Sequence, residues 1–141
     1  MKQRLTCILL IDDDEPTNYL NKLVVDQTGY AAHVQVALGG REALDYLTNS
    51  GPFNSGGTNY PKPELIFLDI NMPGMDGWEF LDLYKKLEPG QKGNIVMIML
   101  TTSLNPDDEQ TARQNPDVAG FEHKPLNKEM LDRLLSKYFP D

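Results

Sequence analysis

A single cysteine, Cys7, stands among the 141 residues, so no intrachain disulfide can form. Its apolar flank marks it as a buried core thiol rather than a nucleophile. Long hydrophobic runs are missing as well. The run from Cys7 to Ile11 stops at three aspartates, well short of the roughly 20 apolar residues of a membrane span and too short for a signal peptide. A cytoplasmic protein without membrane contact is expected. Clusters of positive charge are also lacking: 13 Lys and Arg face 21 Asp and Glu, a formal net charge of −8. That balance opposes the phosphate backbone and excludes nucleic acid as a direct ligand. The two histidines, His33 and His123, lie far apart in sequence and with one cysteine offer no soft-ligand set for zinc. No internal repeat, heptad array or low-complexity tract appears.

What is present fits one domain over 1–141, with 40% apolar residues to bury. Short apolar runs, Cys7 to Ile11, Ala32 to Ala37, Leu65 to Leu68, Ile95 to Leu100 and Val118 to Glu122, alternate with amphipathic stretches. Such alternation predicts an α/β fold of repeated βα units around a parallel sheet. The first, third and fourth runs are continuously apolar, as strands covered on both faces should be, whereas the second alternates like an edge strand. Between them, Tyr19, Leu20, Leu23 and Val24 share one helical face, as do Ala43, Leu44 and Leu47, and Phe80, Leu83, Tyr84 and Leu87. Trp78 and Tyr84 are expected in the core. A fourth, unusually polar helix should start at Asn105-Pro106 with a cap and acidic first turn. A fifth follows Asn127 and carries Met130, Leu131, Leu134, Leu135 and Tyr138 as its buried stripe. Asn49 to Pro63 reads as a long surface loop. The chain stops just after the fifth helix, so no output domain is expected.

In an open parallel α/β sheet, functional groups gather at the carboxyl ends of the strands, near the point where strand order reverses. Here Asp12, Asp13 and Asp14 follow the first run, Asp69 the third, Thr101 the fourth and Lys124 the fifth. Carboxylates converging in one crevice repel by on the order of a few kcal/mol unless a cation intervenes. The hard oxygen donors point to Mg²⁺, which uses one or two protein carboxylates beside a substrate phosphate. A carboxylate next to that ion can be the nucleophile of phosphoryl transfer. An ammonium and a hydroxyl on neighbouring strand ends, Lys124 and Thr101, can neutralise the charge that spreads over the phosphoryl oxygens. Asp14 and Glu15 before Pro16 fit a helix cap as well as they fit a metal site. His33 and His123 receive no role.

These residues resemble the receiver domains of bacterial response regulators, the family that includes the chemotaxis regulator. The resemblance rests on Ile8-Leu9-Leu10-Ile11-Asp12-Asp13, on Leu68-Asp69-Ile70-Asn71-Met72-Pro73-Gly74-Met75-Asp76-Gly77, on Met99-Leu100-Thr101-Thr102 and on Gly120-Phe121-Glu122-His123-Lys124-Pro125. It implies a flavodoxin-like (βα)5 fold, a doubly wound five-stranded sheet in order 2-1-3-4-5. It further implies Asp69 as the phosphorylated residue, and Asp12, Asp13, Asp69 and the Asn71 carbonyl as the metal set. Thr101 and Lys124 become the phosphate-binding groups, Thr101 and Phe121 the switch pair, and the Lys124-Pro125 bond is expected to be cis.

By the same resemblance the protein is a signalling switch rather than an enzyme with an external substrate, catalysing only its own phosphorylation and dephosphorylation. A histidine kinase or a histidine phosphotransfer protein supplies the phosphoryl group. A downstream protein reads it through the fourth helix, the fifth strand and the fifth helix. A phosphorelay carrier that passes the group on to a histidine phosphotransfer protein remains the alternative reading. An aspartate-nucleophile phosphatase of the haloacid dehalogenase type is the remote one, since Asp12 and Asp14 lie two apart but Pro16 stands where Thr or Val is wanted. Two features depart from the family: Thr102 adds bulk after the hydroxyl position, and the Asn49 to Pro63 connection is long.

Overall fold

The computed structural model describes residues 5–48, 50, 61–92 and 94–140. In chain order the elements are β1 (Leu5–Ile11), α1 (Glu15–Thr28), β2 (Ala31–Ala37), α2 (Gly40–Thr48), β3 (Leu65–Leu68) and α3 (Gly77–Lys85). There follow a single-turn α4 (Pro89–Lys92), β4 (Val96–Thr101), α5 (Pro106–Gln114), β5 (Gly120–His123) and α6 (Lys128–Tyr138). All strand pairs are parallel, and the sheet runs β2-β1-β3-β4-β5. The fold is therefore the five-stranded doubly wound architecture, with the strand order reversing between β1 and β3.

Side chains alternate between the two faces of each strand, and the core divides accordingly. Leu9, Ile11, Ile66, Leu68, Met97 and Met99 face α2, α3 and α5. Ile8, Leu10, Leu65, Phe67, Ile98 and Leu100 face α1 and α6. β1, β3 and β4 are buried along nearly their whole length, while β2 buries only part of its length and β5 is at most half-buried, as edge strands are. Cys7 is fully buried, and burial pushes its thiol pKa up to about 11, so it is an inert core residue. The Lys124-Pro125 peptide is cis. Among the described residues no helix is long and apolar enough to cross a membrane.

Caps set the helix starts. Asp14 accepts from the Thr17 N–H at the head of α1, Asn105 from Asp107 at α5 and Asn127 from Met130 at α6. Asp76 and Glu79 close a reciprocal capping box on α3. The α6 stripe of Met130, Leu131, Leu134 and Leu135 is buried, and in α5 Ala112 alone is.

Three local expectations are corrected. The α1 face of Tyr19, Leu20 and Leu23 is not the packed one: Tyr19 and Leu20 are 64% and 59% exposed, and Asn18, Asn21 and Val25 turn inward instead. The reason is a hydrogen bond. Asn18 Nδ2 donates to the Asp12 carbonyl at 2.7 Å, and this fixes the rotation of the helix. In α3, Leu81 is buried and Leu83 half-exposed, because Phe80, Leu81 and Tyr84 define the inward face. The turn α4 carries no apolar periodicity, so nothing in its sequence announced it; it makes the helices expected fourth and fifth into α5 and α6. Most of the Asn49 to Pro63 loop lies outside the described residues.

Candidate functional site

The ladder of backbone hydrogen bonds continues one step past the strand ends and sets the site. Asp12 N–H donates to the Ala37 carbonyl at 3.1 Å, Asp69 N–H to Ile11 at 3.0 Å and Lys124 N–H to Thr101 at 2.9 Å. Three charged residues are thereby held in register at the ends of β1, β3 and β5, with Asp12 and Asp69 on the adjacent strands between which the strand order reverses.

Asp12, Asp13 and Asp69 bring carboxylate oxygens within 4.8 Å of one another. Asp12 and Asp69 are buried and Asp13 is exposed. Lys124 Nζ lies 2.5 Å from Asp12 Oδ2 and 3.6 Å from Asp69 Oδ2, so one ammonium is shared between two buried acids. The other Asp12 oxygen accepts from the Asp14 N–H at 3.0 Å. Burial raises the Asp69 pKa above the usual carboxylate value and the Asp12 charge adds to this, while Lys124 and the backbone N–H groups of Ile70 and Asn71 work against it. Asp14 is turned away as the α1 cap; its pKa is lowered by hydrogen bonds from the Thr17 hydroxyl and N–H.

Thr101 is fully buried at the end of β4, next to β3 in the sheet, and its Oγ1 accepts from the Ser103 N–H at 3.1 Å. Asn71 is exposed in the loop after β3. Phe121 stands apart from the acids. It is half-buried on β5, edge-on to the His123 ring at 5.5 Å, and lines a cavity of about 400 Å³ with Ala112, Arg133 and Tyr138. His123 Nε2 lies 3.1 Å from the Ser103 carbonyl, which ties the end of β5 to the β4–α5 loop.

Two supporting residues carry signals that sequence reading passed over. A Cβ at Gly77 would stand 2.6 Å from the Asp69 carbonyl oxygen and 2.9 Å from Ile70 Cα, so α3 can pass this close behind Asp69 only because residue 77 is glycine. The Gly77 N–H donates to the Ile70 carbonyl at 2.8 Å, pinning the same turn. Asn18 is the other: a polar residue six positions after Asp12, it ties the end of β1 to α1.

Chemically, the crevice offers oxygen donors alone, two buried and one exposed, with more negative than positive charge. That set suits a hard divalent cation. On α1, the helix that follows Asp12 and Asp13, Tyr19, Leu20 and Leu23 form an exposed apolar ridge.

Comparison with known proteins agrees with this geometry. A family model described as the response regulator receiver domain matches residues 8–136. A two-component response regulator from Cytophaga hutchinsonii superposes with a TM-score of 0.82 at 31% identity, covering 99% of this chain and 100% of its own. The "Probable methanogenesis regulatory protein FilR2" of Methanothrix harundinacea is 31% identical over 92% of this chain and 79% of its own length. The Mn²⁺-bound form of response regulator Rcp1 matches with a TM-score of 0.71 at 28% identity, covering 96% of this chain and 95% of its own. With the sheet order, the acidic crevice and the family match in agreement, the chain belongs to the response regulator receiver domains, the phosphoryl-accepting signalling modules of two-component systems.

Proposed function

We propose that Asp69 accepts a phosphoryl group from a phosphohistidine on a kinase or phosphotransfer partner, with Mg²⁺ held by Asp12, Asp13, Asp69 and the Asn71 carbonyl. One observation carries the reading: Asp12, Asp13 and Asp69 converge within 4.8 Å while Lys124 reaches both buried acids. When bound, Mg²⁺ supplies charge neutralisation and alignment of the transferred group. Asp69 then attacks phosphorus through a carboxylate oxygen; the new O–P bond forms as the N–P bond of the donor breaks, and the imidazole keeps the electron pair. Lys124 exchanges Asp12 for a phosphoryl oxygen, and the Thr101 hydroxyl leaves Ser103 to donate to another.

The buried, partly desolvated position of Asp69 favours this chemistry, since its carboxylate is less solvated than one in water. The protein turns over no external substrate in this reading; it catalyses its own phosphorylation and dephosphorylation in the cytoplasm. The exposed apolar ridge on α1 offers the donor protein a place to dock.

Output follows from the weak anchoring of α5, whose body is polar. When Thr101 moves toward the phosphoryl group, Phe121 turns inward, and the face of α5, β5 and α6 presents a second state to a downstream protein. The test is labelling by a small acyl phosphate with Mg²⁺. Wild-type protein takes up one phosphoryl group and Asp69→Asn takes none; full labelling of Asp69→Asn overturns the assignment.

A further inference from the structure

Beneath the acidic pair lies a small polar cavity. By strand alternation, Asp12 follows Leu10 and Asp69 follows Phe67 on the sheet face that α1 covers, and the pocket lined by these four residues, Leu100, Asn18 and Asn21 sits under the carboxylates. Its volume is about 10 Å³, roughly what one water requires. Asn18 and Asn21 are 2% and 8% exposed, two amides where a helix of this kind should present apolar side chains to the sheet.

The Asn18 amide cannot turn. Its Nδ2 donates to the carbonyls of Asp12 at 2.7 Å and Ala37 at 3.4 Å, and a flip would set Oδ1 against those same two oxygens. Oδ1 therefore stays on the other side, buried, and among the described residues it has no hydrogen-bond partner. A buried carbonyl oxygen in that position calls for a donor. The cavity's apolar walls provide none, its carboxylates are acceptors as well, and the Asn21 amide that also lines it makes no hydrogen bond to Oδ1. A water satisfies both kinds of group at once, with the Asn21 amide beside it.

We propose that a single buried water occupies this cavity, donating one proton to Asn18 Oδ1 and the other to a carboxylate of the Asp12–Asp69 pair. Asn18 is thereby a positioning residue for the phosphoryl acceptor, a role that rests on the reading of Asp69 given above. Asn18 holds the strand ends with its Nδ2, and through the water it fixes the orientation of the acids.

The test has two readouts. A high-resolution crystal structure of the wild-type protein should show one ordered water within hydrogen-bond reach of Asn18 Oδ1 and of Asp12 or Asp69; a dry cavity overturns the proposal. Asn18→Leu should lower the maximal rate of phosphoryl uptake from acetyl phosphate at saturating Mg²⁺ by about tenfold, a loss that saturating metal does not repair. Asn18→Ser keeps an acceptor and leaves room for a second water, and should return to within about threefold of wild type. A wild-type rate in Asn18→Leu or an equally slow Asn18→Ser contradicts the role. If Asn18→Leu does not fold, Asn18→Ser decides with its own crystal structure: a wild-type rate without the water overturns the proposal. Labelling of wild type that Asp69→Asn abolishes establishes the acceptor independently, so failure of the water leaves that reading intact. Wild-type protein that takes no phosphoryl group defeats the acceptor reading instead.

Discussion

Adding Mg²⁺ to metal-free protein perturbs the crevice where Asp12, Asp13 and Asp69 hold carboxylate oxygens within 4.8 Å of one another. At an effective dielectric near 20, two unit charges at about that separation repel by roughly 3 kcal/mol. Lys124 offsets part of this for the two buried acids, and the exposed Asp13 is left to the solvent. A cation bound by the folded crevice and not by the unfolded chain stabilises by mass action, about 2.7 kcal/mol at one hundred times the Kd. For a domain of this size each kcal/mol is worth about 3 °C, so the midpoint of thermal unfolding should rise by about 8 °C. Asp13→Ala removes a ligand whose loss costs on the order of 10–100-fold in affinity, which cancels half or more of that shift at the same Mg²⁺ concentration. Asp107→Ala, in the acidic first turn of α5, should keep all of it. Thermal unfolding followed by circular dichroism across a Mg²⁺ titration reads all three proteins. An undiminished shift in Asp13→Ala, or an equal loss in Asp107→Ala, refutes the placement of the metal.

Gly77→Ala would set a Cβ 2.6 Å from the Asp69 carbonyl oxygen, and the backbone must yield. Denaturant unfolding should show a loss of about 1–3 kcal/mol, and unchanged stability would mean that α3 does not press on Asp69. Lys124→Ala leaves Asp12 buried with its Lys124 partner gone, a change worth about 3 kcal/mol without metal; Mg²⁺ should restore most of it, and a variant as stable as wild type in chelator would contradict the pairing. The raised pKa of Asp69 makes its contribution to stability full below the ordinary carboxylate value of 3.8 and lost as pH rises through the raised one. In chelator, Asp69→Asn should therefore gain on wild type across that interval when urea midpoints are compared over pH, and a pH-independent difference refutes the shift.

The sheet was legible because its central strands are so plainly apolar. Leu65 to Leu68 matches β3 residue for residue, and Asp69 stands where the strand stops. The acids, the lysine and the threonine announced themselves as the first or nearly the first polar residues after apolar runs, a pattern the doubly wound topology makes meaningful. Helix rotation was not legible. In α1 the apolar residues Tyr19, Leu20 and Leu23 obey helical spacing, yet Asn18 takes the inward face because the carbonyls at the ends of β1 and β2 need its amide. A requirement for one buried hydrogen bond outweighed an apolar stripe, and periodicity alone cannot represent that competition. Gly77 was read only as part of a motif, since its constraint comes from the close approach of Asp69, a contact made in three dimensions.

The central claim is that the crevice exists to place a phosphoryl group on one carboxylate. Its most direct test is to phosphorylate the protein with acetyl phosphate and Mg²⁺, trap the acyl phosphate by borohydride reduction, and sequence the modified peptide by mass spectrometry. The account predicts reduction to homoserine at residue 69 and at no other aspartate. Modification of Asp12 would instead support a phosphatase-type nucleophile and contradict the account, as would the absence of any trapped residue.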